Sequence, residues 1–273
     1  MRNRKQYGKG WMGPAESNFF AWVQMRRQPV VRSGDLSPVL GLSPVKERDL
    51  LSRLSRAGWI VRLRRGLYLA PLSLPAGGSW NPPESVVIPA LMREIRGQYQ
   101  ICGPNAFNRY GFDSQVPNCV FVYNSRLSCR RQIGSTRYVF IRLSRARLGA
   151  VEEIRTPDGT ALRYSSRLRT LLDALYDWSV FNGIPRAFTW IRQEMRERPN
   201  VAGELARLTV RFGNQATLRR MGYLLQQAGA SKTTQARIRK ALRDSVSLVT
   251  LVPAKARRGP VIKEWGLIDN ERA

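Results

Sequence analysis

The chain has 273 residues, with 46 Lys/Arg against 19 Asp/Glu, a formal net charge of +27 and no histidine. That length supports one large or two medium domains with a buried core. Without histidine, Ser-His-Asp and Cys-His catalysis, histidine-ligated zinc and histidine phosphotransfer are excluded.

Such an excess of positive charge repels itself in the compact state, and an anionic partner is the simplest relief. Arginine supplies 39 of the 46 basic residues, and its planar fork pairs with phosphate and with guanine edges, so nucleic acid leads. Cys102, Cys119 and Cys129 lack a metal-ligand spacing. Cys102 and Cys119 sit in apolar runs and read as buried small residues of a reduced, cytoplasmic protein. No metal and no cofactor is expected. No apolar run reaches the roughly eighteen residues of a spanning helix, so no membrane partner is expected either.

In chain order, residues 1–16 form a basic, glycine-containing arm that either orders in a minor groove or stays free. A helix is predicted over 17–28, with Phe19, Phe20 and Val23 inward and Trp22 beside them. A polar stretch over 30–34, a short helix over 33–40 and a turn at 41–43 follow. Ser43 suits a helix N-cap, and Pro44 the first helical position, where its missing N–H has no partner anyway. Leu50, Leu51, Leu54 and Ala57 repeat at helical spacing, and Gly58 suits the left-handed stop. Two short strands over 60–64 and 67–69 then flank Arg64-Arg65-Gly66.

Helix, short helix, turn, helix and basic hairpin is the order of a winged helix-turn-helix. Residues 17–71 are therefore assigned to a DNA-binding unit. Its candidate DNA contacts are Ser43, Lys46, Glu47, Arg48, Ser52, Arg53, Arg56, Arg62, Arg64 and Arg65. Lys46, Glu47 and Arg48, near the start of the reading helix, are the candidates for base edges. Arg64 and Arg65, at the hairpin tip, are placed over the backbone or the minor groove.

Residues 72–83, rich in Pro, Gly and Ser, read as a linker. Residues 84–265 form a mixed α and β domain. Helices are expected over 84–96 and 104–110, strands over 99–102, 120–123, 137–142, 148–154 and 161–164, and helices from Ser165 (with Leu168, Leu171, Leu172, Leu175 and Tyr176 on one face) and over 185–197, 201–212, 215–228 and 234–244. Strands over 246–252 and 261–265 close it, leaving 266–273 as a tail. The fold class is α+β.

A second basic surface is formed by Arg126, Arg130 and Arg131, with Arg137 and Arg142 nearby, and by Arg237, Arg239, Lys240 and Arg243. It extends a DNA footprint, docks an acidic partner or is simply solvated. Among the acids, Asp173 and Asp177 sit at i and i+4, and Glu152, Glu153 and Asp158 near a turn. A metal-dependent nuclease would need such clusters. The simpler reading pairs Asp173 with Arg167 or Arg169 and leaves the others as surface acids. A general RNA-binding protein is the further alternative.

The phrases Ala57-Gly58-Trp59-Ile60, Arg65-Gly66-Leu67-Tyr68 and Arg169-Thr170-Leu171-Leu172-Asp173 resemble those of AbiEi-type antitoxins, the regulators of bacterial type IV toxin–antitoxin systems. Ile101-Cys102-Gly103-Pro104-Asn105-Ala106 and Trp265-Gly266-Leu267-Ile268 fit the same pattern. The resemblance implies a non-enzymatic cytoplasmic protein, nucleoid-associated when on DNA. Its winged helix would repress its own operon at inverted repeats in duplex DNA. Its second domain would counter a cognate nucleotidyltransferase-type toxin.

Overall fold

The computed structural model describes residues 12–75, 79–157, 159–243 and 247–271. Most of the basic arm (1–11) and Asp158 lie outside the described residues.

The first helix, α1 (Pro14–Arg26), begins earlier than expected, because Pro14 is tolerated in the first turn. It buries Phe19, Phe20 and Val23, while Trp22 stays half-buried under the Arg26 guanidinium. The expected polar connection after it is in fact a strand, β1 (Val30–Arg32). Three residues are too few to show an alternating pattern, so the sequence hid it. The short helix α2 (Ser37–Leu40) is half its expected length. The chain before it turns instead, with the Asp35 carboxylate accepting from the Arg32 amide at 2.9 Å. Next come α3 (Pro44–Arg56) and the hairpin β2 (Val61–Arg64) and β3 (Leu67–Leu69), close to expectation.

The three strands form one antiparallel sheet in the order β1-β3-β2. Strand side chains alternate between faces, and here the two faces serve different cores. Tyr68 joins Phe19, Phe20, Leu50, Leu51 and Leu54 under the helices. Val61, Leu63, Leu67 and Leu69 pack into the core of the second half, against Val87, Ile88 and Leu91 of α4 (Glu84–Glu94).

The segment expected to be a linker is bonded at both ends of this seam. The Trp80 amide donates to the Gly58 carbonyl at 3.0 Å. Asn81 accepts from the Ser135 amide at 2.8 Å and donates to the Thr136 hydroxyl at 3.3 Å.

The second half is built on a six-stranded mixed sheet in the order β6-β7-β5-β4-β9-β8. Its strands are β4 (Tyr99–Ile101), β5 (Cys119–Asn124), β6 (Cys129–Ile133), β7 (Thr136–Arg142), β8 (Val151–Arg155) and β9 (Ala161–Ser165). The short helix α5 (Pro104–Arg109) follows β4. The edge strand β6 was not expected, since Cys-Arg-Arg-Gln carries no strand-like alternation of apolar residues. Val120 and Val122 face α4 and the hairpin, whereas Phe121 and Tyr123 face the C-terminal helices. Cys102 is buried as expected, but Cys119 is only half-buried.

Those helices are α6 (Arg167–Tyr176), α7 (Trp178–Phe181), α8 (Arg186–Glu197), α9 (Ala202–Phe212), α10 (Gln215–Gln227) and α11 (Lys232–Ala241). They enclose Leu171, Leu175, Phe188, Ile191, Leu205 and Leu224.

The expected tail is the second correction to the domain plan. A small sheet joins β10 (Val249–Thr250), β11 (Val261–Ile262) and β12 (Leu267–Ile268), with β12 in the centre. Leu267 and Asn270 are completely buried, and the Asn270 side chain bonds the Val252 amide and carbonyl. Burying these backbone groups without partners would be costly, so the chain end belongs to the core.

Candidate nucleic-acid interface

Helix α3 is fixed at its start by Ser43, whose hydroxyl accepts from the Lys46 amide at 3.4 Å, with Pro44 next in line. Its buried face is Glu47, Leu50, Leu51 and Leu54. Advancing about 100° per residue, the opposite side of the helix carries Val45, Asp49, Ser52 and Arg56, with Arg48 and Arg53 on its two flanks. Lys46, Arg48, Ser52, Arg53 and Arg56 are all exposed, as the sequence predicts. Several guanidiniums lie along the helix: Arg48 Nε donates to the Pro44 carbonyl at 3.3 Å and Arg56 Nε to the Ser52 carbonyl at 3.4 Å. Arg53 reaches back to Glu16 of α1 at 2.9 Å.

Glu47 is a correction. It is 1 % exposed, and its carboxylate accepts from the Gly34 amide at 2.6 Å, the Ser37 amide at 3.2 Å and the Ser37 hydroxyl. A carboxylate so used holds the turn before α2 and is withdrawn from base contacts. Its i, i+3, i+4, i+7 spacing with Leu50, Leu51 and Leu54 carried that signal, which its charge obscured.

On the hairpin, Arg62, Arg64 and Arg65 are all exposed. A register shift between Arg62 and Arg64 bends β2, and Arg62 Nε donates to the Arg64 carbonyl at 3.4 Å. Gly66, at φ +74°, lets the tip close, and its carbonyl accepts from the Ser33 amide at 3.0 Å. The tip guanidiniums and the outer side of α3 are thus carried by one small, cross-braced unit.

The second basic surface divides. Arg126, Arg130, Arg237, Lys240 and Arg243 are exposed. Arg131, by contrast, is half-buried and donates through Nη1 to the Leu63 carbonyl at 2.6 Å. Arg239 pairs with Glu264 and lies over the Trp265 ring. Those two are structural, because their guanidiniums are already committed. Arg130, Arg131 and Arg137 also line a cavity of about 380 Å³ beside Phe121 and Val180.

Of the carboxylates expected to matter for an enzyme reading, Asp173, Asp177 and Glu152 accept hydrogen bonds from the protein. Asp173 is fully buried and pairs with Arg169 at 2.7 Å, while also accepting from the Ser165 hydroxyl at 2.9 Å. Burial pushes its carboxyl above the usual range, opposed by Arg169. Asp177 accepts from the Tyr123 hydroxyl, and burial raises its carboxyl too. Glu152 accepts from Tyr110 at 2.9 Å, and Glu153 lies 3.9 Å from Arg163. Among the described residues, no three His, Cys, Asp or Glu side chains group as metal ligands do.

Comparison with known structures finds the protein RV2827C from Mycobacterium tuberculosis, with a TM-score of 0.62 at 18 % identity over 95 % of this chain and 92 % of that one. At that identity the likeness speaks for the fold. Comparison with curated protein sequences gives no match. Among the described residues no helix is long and apolar enough to cross a membrane. A family model described as "Transcriptional regulator, AbiEi antitoxin" matches residues 23–71. That span takes in α2, α3 and the whole hairpin, so it is the N-terminal unit of this chain that matches the AbiEi antitoxin family of transcriptional regulators.

Proposed function

We propose that the chain is a sequence-specific DNA-binding regulator that represses its own operon at inverted repeats and serves as antitoxin to a nucleotidyltransferase-type toxin. The observation that carries this reading is the exposed face of α3 beside Arg62, Arg64 and Arg65, within the segment matched by the regulator family. A helix that presents side chains outward next to a basic ribbon suits a major groove flanked by phosphates. The protein acts by binding, not catalysis, and works in the cytoplasm on the nucleoid. Its toxin-directed task is assigned to the second half, where the exposed side chains of Arg130, Arg237, Lys240 and Arg243 are available to an acidic partner.

Three measurements test this. The purified chain is titrated with duplexes from its own upstream region, scrambled duplexes, duplex RNA and single strands. Preference for RNA or single strands would overturn the DNA reading. Co-expression with the neighbouring gene product, scored by growth, tests the antitoxin task. Turnover of nucleic acid with magnesium that disappears in Glu153→Ala would overturn the non-enzymatic reading.

A further inference from the structure

Resting on the DNA-binding reading, we propose that Val45 and Asp49 set its sequence preference, Val45 by packing on a thymine methyl and Asp49 by accepting from a cytosine amino group. Both lie in the first half of α3, on the side opposite Leu50, Leu51 and Leu54. In a helix-turn-helix the base edges are met by that outward, N-terminal part of the helix.

Val45 is 56 % exposed. A β-branched apolar residue gains nothing from water there and lowers helix propensity slightly. A thymine methyl is the apolar group that a major groove offers at that depth, and apolar side chains are its usual partners. Asp49 is exposed and has no hydrogen-bond or ion-pair partner among the described residues. Arg48 and Arg53 bracket it on the helix flanks. Against phosphates an unpaired carboxylate would be repelled, so Asp49 fits this face only where it meets a base-edge donor, and the cytosine N4 amino group is the donor that carboxylates read. Arg48, on one side, is placed for the flanking backbone or for guanine, while Arg53, on the other, is paired with Glu16.

The test uses the full-length chain and duplexes selected from a pool with a randomised core. Each thymine of the selected site is replaced in turn by deoxyuridine, which removes only the methyl. The wild-type chain should lose about fourfold in affinity at one thymine of each half-site, the worth of one buried methyl-sized group. Val45→Ala should bind both versions equally at that position. Asp49→Ala should lose its discrimination at one C·G pair while thermal melting stays unchanged. If no thymine shows a methyl effect that disappears in Val45→Ala, or Asp49→Ala selects the same site, the assignment is wrong while DNA binding stands. A chain that retains duplex DNA but enriches no sequence overturns the assignment as well. A chain that retains no duplex at all refutes the DNA-binding reading and this one with it.

Discussion

Arg131 of the six-stranded sheet donates to the carbonyl of Leu63 in the hairpin at 2.6 Å, across the seam between the two halves of the chain. Around it, Val61, Leu63, Leu67 and Leu69 are at most 8 % exposed and lie in the second half's core. Arg32 adds an ion pair to Glu94 at 2.9 Å. The hairpin that is to touch DNA is therefore built on the second half.

A fragment ending at residue 75 should consequently fail to fold. Uncovering four apolar side chains removes about 1.5–3 kcal/mol each, which together rivals the roughly 5–15 kcal/mol that holds a domain together. Circular dichroism on the fragment checks this, and a cooperative melt would show the N-terminal unit to be independent. In the full chain, Arg131→Ala should cost about 1–3 kcal/mol of stability if the Leu63 carbonyl stays dry, read as a lower melting temperature.

That seam explains much of what the sequence showed and hid. Ser43-Pro44 and the leucine spacing announced α3, and Gly58 and Arg65-Gly66 bounded the hairpin, because caps and turns are local chemistry. Leu67-Tyr68-Leu69 read simply as an apolar strand, and nothing local told that Tyr68 and its two neighbours serve different cores. Leu72–Pro83 looked like a linker by composition, yet Trp80 and Asn81 bond both sides. Leu267–Ile268 looked like a frayed end because its partners, Val249 and Val261, are distant in sequence or separated by irregular chain. The exposure of the candidate arginines on α3 and at the hairpin tip is legible from spacing, whereas the burial of Glu47 is written in its period and obscured by its charge.

Glu47 should behave as a structural residue. Glu47→Ala leaves the Gly34 and Ser37 amides without their acceptor; Gly34 is exposed and Ser37 half-buried, so water replaces part of the loss and each bond is worth about 1 kcal/mol. Thermal melting should report the loss, and DNA affinity at low temperature should fall only as far as the unfolded fraction requires. A large loss of affinity with unchanged melting would return Glu47 to the DNA surface.

Asp177 carries a pH prediction. Burial holds its carboxyl above the ordinary 3.8, against the opposing Tyr123 hydrogen bond. An acid whose pKa is raised by folding favours the folded state when protonated. That stabilisation is full below the unfolded pKa and lost as pH rises through the folded value. Asp177→Asn, neutral at every pH and still able to accept from Tyr123, should thus melt higher than wild type at neutral pH. The gap should close as the pH falls through the folded pKa. A gap that widens on acidification would contradict the direction of the shift.

Salt dependence locates the phosphate contacts. Each contact displaces counterions and adds about −0.9 to the log–log slope of affinity against salt. Removing Arg64 and Arg65 together should make the slope shallower by about one to two units. An unchanged slope would move the phosphate surface to the second half, with Arg126 and Arg130 the first to substitute.

Arg48 and Arg65 should differ in kind. Arg48 is exposed on the flank of the α3 face that carries Val45 and Ser52, and its guanidinium lies over the helix start, with Nε on the Pro44 carbonyl at 3.3 Å. Releasing that weak backbone bond costs little, so the side chain is free to reach a base edge, where a two-pronged contact to guanine discriminates by about 1–3 kcal/mol. Arg65 sits at the hairpin tip, beside Gly66 and between β2 and β3. On the proposed reading it meets the sugar-phosphate backbone, which positions the protein without reading sequence. Arg48→Ala should therefore weaken binding to the selected duplex and leave scrambled duplex nearly untouched, whereas Arg65→Ala should weaken both alike. Paired titrations of each variant at one salt concentration decide it. If Arg48→Ala weakens both duplexes equally, α3 is not the reading helix, because this guanidinium near its start would then be touching phosphate alone.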